Sequence, residues 1–168
     1  ATLVGRPLEP RHVRGMVLLL LMAGIDTTWS AIGSALWHFA THPADLERMH
    51  REPELWPTAI EELLRAYAPV TMGRRVVRRV ELAGHTLEPG EWVLLPFPAA
   101  NRDPAAFPDA DQVQLDRARN RHSSFGLGIH RCIGSNLARL ELRVALEEFL
   151  TRIPQFHLTD PERVRWSV

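Results

Sequence analysis

The sequence predicts a mainly α-helical fold with small β-sheets. Three observations lead there: an apolar segment from about Glu9 to Ala40 without strand-like alternation, two stretches with helical spacing at 57–67 and 135–152, and short β-prone runs between Arg74 and Leu95 separated by turn residues. With 168 residues, 45% apolar and 24% charged, the chain has the size and composition of one globular domain rather than of a disordered segment.

In chain order, Pro10 sits where the first turn of a helix tolerates proline, and apolar residues continue from Val13 to Phe39. Leu18, Leu19, Leu20, Leu21 and Trp37 cover several faces, so this helix is expected to pass through the centre of a larger body. His42-Pro43 breaks it, Ala44 to Arg51 reads as a short polar helix, and Pro57 opens a helix to about Tyr67. Val76-Val77, Val80-Glu81-Leu82 and Trp92 to Leu95 read as strands, joined by turns at Ala83-Gly84-His85 and Glu88-Pro89-Gly90-Glu91. Asn101 to Asp116, rich in proline and aspartate and without a sustained period, reads as a long ordered loop. A last helical pattern runs from about Ser135 to Arg152.

Acidic and basic residues balance at 20 each, so no global field points to a nucleic-acid partner or an anionic membrane. The longest uninterrupted apolar run, Met16 to Ala23, falls short of the ~20 residues a spanning helix needs. The first residues carry no signal-peptide pattern, and a soluble, cytoplasmic protein without a membrane span is expected. The single cysteine, Cys132, excludes an internal disulfide and leaves a thiol that is inert, reactive or ligating.

Three segments carry chemistry. Within the first helix, Ala23-Gly24-Ile25-Asp26-Thr27-Thr28 places a glycine, costing roughly 1 kcal/mol relative to alanine, beside polar groups that compete for backbone partners. A kink or a tight helix crossing would each account for it. Glu62 and Arg65, three apart on a helix, share a face and can pair. Phe125 to Gly134 surrounds the cysteine with glycines that permit positive backbone dihedrals and close approach of a flat ligand. The helix that follows favours a thiolate through its free amides and dipole. Structural zinc sites take several Cys and His ligands, whereas here one cysteine stands alone. A phosphate cradle would need the dinucleotide spacing or a P-loop ending, and neither is present.

Phe125-Gly126-Leu127-Gly128-Ile129-His130-Arg131-Cys132-Ile133-Gly134 resembles the FxxGxxxCxG signature of the cytochrome P450 superfamily of haem-thiolate monooxygenases, in its bacterial form. Glu62-Leu63-Leu64-Arg65 is similar to that family's ExxR helix, and Ala23 to Thr28 to its oxygen-activating AGxDTT segment, in the family's order. The resemblance implies the P450 fold, haem b (iron protoporphyrin IX) as cofactor, and Cys132 as axial thiolate on iron. It implies that His130 and Arg74 hold the haem propionates, that Phe125 packs beneath the porphyrin, that Gly128 makes the turn, and that Gly134 lets the next helix approach. Glu62 and Arg65 become a buried structural pair. Asp26 and Thr27 become the catalytic acid–alcohol pair, with Ala23 and Gly24 leaving room for dioxygen. Val70, Thr71 and Met72 line a mostly apolar substrate pocket.

The implied reaction inserts one oxygen atom from dioxygen into a small apolar organic substrate. Its two electrons come from NAD(P)H through a ferredoxin or a flavin reductase, separate or fused. Six arginines against one acid, Glu141, between Arg117 and Arg143 give such an acidic donor a docking surface at Arg131 or Arg139, a solvated basic face being the other reading.

Two departures stand out. The PERF-like tetrad aligns with Ala110-Asp111-Gln112-Val113, putting Gln112 where a third arginine closes the Glu62–Arg65 pair, unless Arg117 closes it instead. The family's domain is also more than twice this length. Residues 1–168 are therefore expected to be the C-terminal part of one such domain, without its N-terminal part. The alternative is an inactive structural or haem-binding fragment that needs the missing part.

Overall fold

A computed structural model describes residues 2–3 and 5–166. Two short strands, β1 (Thr2–Leu3) and β2 (Arg6–Pro7), precede a continuous helix α1 (Pro10–Thr41). Pro43 restarts the chain as α2 (Pro43–Arg51), and Pro57 lies in the first turn of α3 (Trp56–Ala66). Next come β3 (Thr71–Arg75), the hairpin β4 (Val80–Leu82) and β5 (His85–Leu87), and β6 (Trp92–Pro96), which runs into the short helix α4 (Phe97–Ala100). A long irregular segment leads to α5 (Ser135–Arg152). The fold is helix-rich with small sheets, as the periodicity predicts.

The strand expectations need one correction. Val76-Val77 is not a strand; the strand lies just before it, at Thr71–Arg75, antiparallel to β6 with Thr71 opposite Pro96 and Arg75 opposite Trp92. Gly73 lies under the Trp92 indole, where a Cβ would stand 3.4 Å from the ring. In the β4–β5 turn, Ala83 (φ 50°) and Gly84 (φ 80°) are both left-handed, the geometry a tight two-residue hairpin requires.

Four helices supply most of the core. Ala35 and Phe39 of α1 meet Leu46 and Met49 of α2, Ala59, Ile60, Leu63 and Leu64 of α3, and the i, i+4 stripe Leu142, Leu146 and Leu150 of α5. Only the C-terminal part of α1 enters this core. Leu18 to Met22 are exposed, Leu19 to 67%, so within the described residues the expected central passage is not met for the first half of the helix. By length and composition α1 also suffices to cross a membrane, a property the run-length argument missed because Gly24 and Asp26 interrupt the run without ending the helix.

Beneath the long segment lies a wholly buried ion-pair network. Glu62 and Arg65 are 0% exposed, and Arg65 donates Nε to Glu62 Oε2 and Nη2 to Oε1, both at 2.8 Å. The remaining guanidinium protons go to the carbonyls of Asn101 (2.8 Å), Ala110 (2.8 Å) and Gln112 (2.9 Å). The third arginine is Arg117: its Nε donates to Glu62 Oε2 at 3.0 Å and its Nη1 to the Pro108 carbonyl at 2.7 Å. Gln112 contributes its backbone oxygen while its residue remains exposed, so the expected glutamine substitution in the triad is corrected to an intact arginine five residues later. The Gln114 amide and Asn120 Nδ2 complete the carboxylate's shell. Burial pushes the Glu62 carboxyl up, but the Arg65, Gln114 and Arg117 contacts outweigh it and hold its pKa below 4.5.

A second buried polar group joins α1, α2 and the end of α3. His38, 0% exposed, accepts from the Tyr67 hydroxyl at Nδ1 and donates Nε2 to Asp45 Oδ2, each at 2.8 Å. Burial lowers the His38 pKa below 6.5 against the opposing pull of Asp45. Below pH 6.5 the unfolded chain therefore binds a proton the folded chain refuses, and stability falls as pH drops, by at most about 1.4 kcal/mol per pH unit. Melting curves between pH 4.5 and 6.5 should show this slope, and His38→Gln should flatten it. In the ion-pair network, Arg117→Ala should cost about 3–5 kcal/mol because it strips a buried carboxylate of a partner. Gln112→Arg should change stability by less than about 0.5 kcal/mol; denaturant titration of both variants reads the difference.

Candidate functional site

The cysteine loop follows from local backbone chemistry. Gly126 (φ 67°) and Gly128 (φ 66°) are left-handed, a conformation that side chains resist, and they bracket Leu127 before a single helical turn at Gly128–His130. The Gly126 amide donates to Ser123 O (2.7 Å), and a Cβ there would meet the His130 carbonyl at 3.6 Å and the Phe97 ring at 3.7 Å. The Cys132 amide donates to Phe125 O at 2.8 Å, closing the loop back on itself. Gly134 caps α5, and its hydrogen faces Cys132 Sγ, which a Cβ would approach to 3.8 Å.

This architecture turns the loop outward. Cys132 is exposed, and around it Leu127, Ile129 (97%) and Ile133 (90%) stand open. His130 is exposed and Arg74, on β3, is half-buried; among the described residues neither has a carboxylate partner. The loop offers one thiol, the His130 ring and bare apolar side chains, and together with the Arg74 guanidinium on β3 these residue types suit a flat apolar ligand bearing carboxylates. They suit a metal held by several protein ligands poorly, and among the described residues no group of three His, Cys, Asp or Glu side chains converges.

Phe125 is pinned from the other side. The Arg139 guanidinium lies over its ring at 4.6 Å and donates Nε (2.5 Å) and Nη2 (2.8 Å) to Glu61. Glu61 also accepts from His122 Nε2 at 3.0 Å. Burial raises the Glu61 carboxyl, but Arg139 and His122 together bring its pKa to about 2. This cluster was not foreseen. Its members are 61 and 78 residues apart in sequence, and no local spacing signals them.

On α1 the helical hydrogen bonding continues unbroken through Ala23–Thr28. The Thr27 hydroxyl donates back to Ala23 O at 2.6 Å, Asp26 is exposed, and a Cβ on Gly24 would meet nothing within 4 Å. Gly24, Ile25, Thr28, Trp29 and Ile32 face Leu140, Glu141, Val144 and Ala145 of α5 across an open groove of about 620 Å³. Of the Ala23–Thr28 segment, Gly24, Ile25 and Thr28 line this groove, while Asp26 and Thr27 are not among its lining residues. Val70 is half-buried, and Thr71 and Met72 begin β3 as exposed residues leading to Arg74.

The arginine cluster is smaller than its sequence count. Arg117 is committed to Glu62, Arg139 to Glu61 and Arg143 to Glu147. Arg119, Arg121 and Arg131 stay exposed without a carboxylate partner among the described residues.

Comparison with known proteins gives the same picture. The family model described as Cytochrome P450 matches residues 4–164. Mycinamicin IV hydroxylase/epoxidase of Micromonospora griseorubida is 42% identical over 165 residues, covering 95% of this chain and 41% of that protein. The polyketide biosynthesis cytochrome P450 PksS of Bacillus subtilis is 36% identical over 165 residues, covering 96% and 41%. Its solved structure superposes with a TM-score of 0.92 at 35% identity, over 99% of this chain and 44% of that one. CYP109E1 from Bacillus megaterium in complex with corticosterone gives 0.88 at 38% identity, over 96% and 44%. The chain thus spans about two-fifths of the length of the relatives it matches, yet the loop, the buried triad and the helices that carry them all lie within the match, and the chain belongs to the cytochrome P450 family.

Proposed function

We propose that residues 1–168 are the C-terminal part of one haem-thiolate monooxygenase domain, inserting one oxygen atom from dioxygen into an apolar organic substrate. The observation that carries this reading is the glycine-bracketed loop that turns Cys132 outward with His130 two residues before it. Cys132 would hold the iron of haem b, His130 and Arg74 would each pair with a propionate, and the bare Ile129, Ile133 and Leu127 would be covered in part by the macrocycle. When bound, thiolate-ligated haem supplies the electron-rich iron at which dioxygen is reduced and its oxygen–oxygen bond cleaved.

The chain's own residues bring the proton. Thr27 Oγ1 now donates to Ala23 O, and by rotating about χ1 it would present the same proton at the helix surface beside Gly24. Asp26, exposed next to it, would exchange protons with solvent and restore the one Thr27 gives up. Gly24, with open space where a side chain would stand, leaves room for a diatomic ligand. Val70, Thr71 and Met72 would border the substrate; relatives named for mycinamicin IV and solved with corticosterone support an apolar organic class.

Electrons would come from NAD(P)H through a ferredoxin or flavin reductase. Arg119, Arg121 and Arg131 are the free cations on which an acidic donor would dock. The bacterial relatives support a cytoplasmic location, and we assign the exposed leucines of α1 to cover by the rest of a longer chain rather than to lipid. Those same leucines favour a second reading for the isolated piece, an inactive haem-binding or structural fragment, since an uncovered haem would lose its dry pocket.

Haem uptake and the reduced carbon monoxide spectrum decide between the readings. The isolated chain and the complete protein should both be examined, with the thiolate-type band and turnover expected in the complete protein and lost in Cys132→Ser. Absence of that band from the complete protein would refute the enzyme. Asp26→Asn should keep the band while slowing product formation on the order of 10²-fold. Arg131→Glu should lower the donor-dependent reduction rate and weaken its dependence on salt, read by stopped-flow at several ionic strengths.

A further inference from the structure

The geometry points to Arg139 as a positioning residue: clamped by Glu61, it holds the Phe125 ring and, through the Phe125 backbone, the cysteine loop. This inference rests on the reading of Cys132 as the iron ligand and removes Arg139 from the donor-docking surface.

The clamp is anchored on α3. Glu61 and Glu62 are consecutive and point to different partners: Glu62 into the buried arginines, Glu61 toward α5 and the loop. Because Glu62 is locked, the backbone that presents Glu61 is locked as well. Glu61 then receives the planar fork of Arg139 through two bonds, and Arg139 Nη1 bonds Ser135 O at 3.2 Å at the start of α5. The guanidinium has no freedom left to meet a partner protein; its side chain is 27% exposed.

The fork's face covers the Phe125 ring at 4.6 Å, a cation–π contact strengthened by partial burial. On the same ring lies His122, centroids 6.1 Å apart, itself fixed by Glu61 at Nε2 and by the Ser124 amide at Nδ1 (3.3 Å). Ser124 is tied to α3 through Leu64 O at 2.7 Å. Phe125 is thus held at both its ring and its preceding residue, and its carbonyl is what the Cys132 amide bonds. The clamp therefore sets where the cysteine backbone sits. Arg139 also places a positive charge on the Phe125 ring beside the loop and neutralises Glu61 there, so removing either charge alters the field at the loop.

Two measurements test the clamp. In the haem-free protein, hydrogen exchange of the Cys132 amide should quicken about tenfold in Arg139→Gln and less in Arg139→Lys, which keeps the charge but loses the fork. In the haem-loaded protein, Arg139→Gln should lower the reduction potential and broaden the thiolate-type carbon monoxide band, and Glu61→Gln should quicken the same exchange while shifting the potential the other way. Wild-type exchange and potential in Arg139→Gln, with only the donor-dependent rate altered, would overturn the clamp in favour of a docking role. If the wild-type protein shows no thiolate band, the haem reading fails, and the exchange measurement still reports on the clamp by itself.

Discussion

Glu62 holds a negative charge at 0% exposure, and everything around it is arranged so that this is tolerable. An isolated carboxylate there would cost several kcal/mol of desolvation, repaid only if each lone pair finds a donor. Two arginines, one backbone amide and one asparagine supply them. Arg65 in turn spends its other protons on carbonyls at 101, 110 and 112, and Arg117 its own on carbonyls at 108, 109 and 112. A segment with little regular structure is thereby fastened to α3 by its carbonyls rather than by a sheet or helix of its own. Asn101 adds a last tie, accepting from Ser123 and donating to Ser124 just before the cysteine loop begins.

That fastening decides where the loop can be. From Ser124 onward the chain must turn back within ten residues to start α5, whose Leu142, Leu146 and Leu150 are already committed to the core. Gly126 and Gly128 make that turn with left-handed backbone, and it drives Leu127, Ile129 and Ile133 into the open. The exposed apolar side chains are thus the geometric consequence of a loop fixed at both ends. A contiguous exposed apolar patch of this kind marks a surface that a ligand or a partner covers.

How much of this could be read from residue order depends on the reach of each interaction. The helices and the cysteine loop were legible because their causes are local: prolines at helix starts, i, i+4 leucines in α5, glycines where φ must be positive. β3 was misplaced because Thr71-Met72-Gly73-Arg74-Arg75 has little strand character, and its pairing comes from Trp92–Pro96, some twenty residues away. Arg117 was only an alternative to Gln112 because nothing local shows which of two nearby residues faces a carboxylate 55 positions earlier. The arginine cluster misled for the same reason: counting charges along the chain cannot see that Glu61, Glu62 and Glu147 neutralise half of them. No local spacing marks His38 either, because its partners lie on α2 and just beyond α3.

The α1 helix obeys a different logic at its two ends. From Ser34 to Phe39 one face is buried, as an ordinary amphipathic helix requires. From Val13 to Ile25 apolar side chains point all round, and none of that stretch is buried among the described residues. Where the two stretches meet, Gly24, Ile25 and Thr28 line the groove that opens toward α5. A helix that is apolar all round must be covered all round, so the polar exceptions at Asp26, Thr27 and Thr28 are placed where cover is to be incomplete. Their hydroxyls and carboxylate would otherwise be needless losses of helix stability in a stretch built for burial. An unpaired polar group is costly in a core, and here the cost is avoided because the Thr27 hydroxyl bonds back to Ala23 O and Asp26 is exposed.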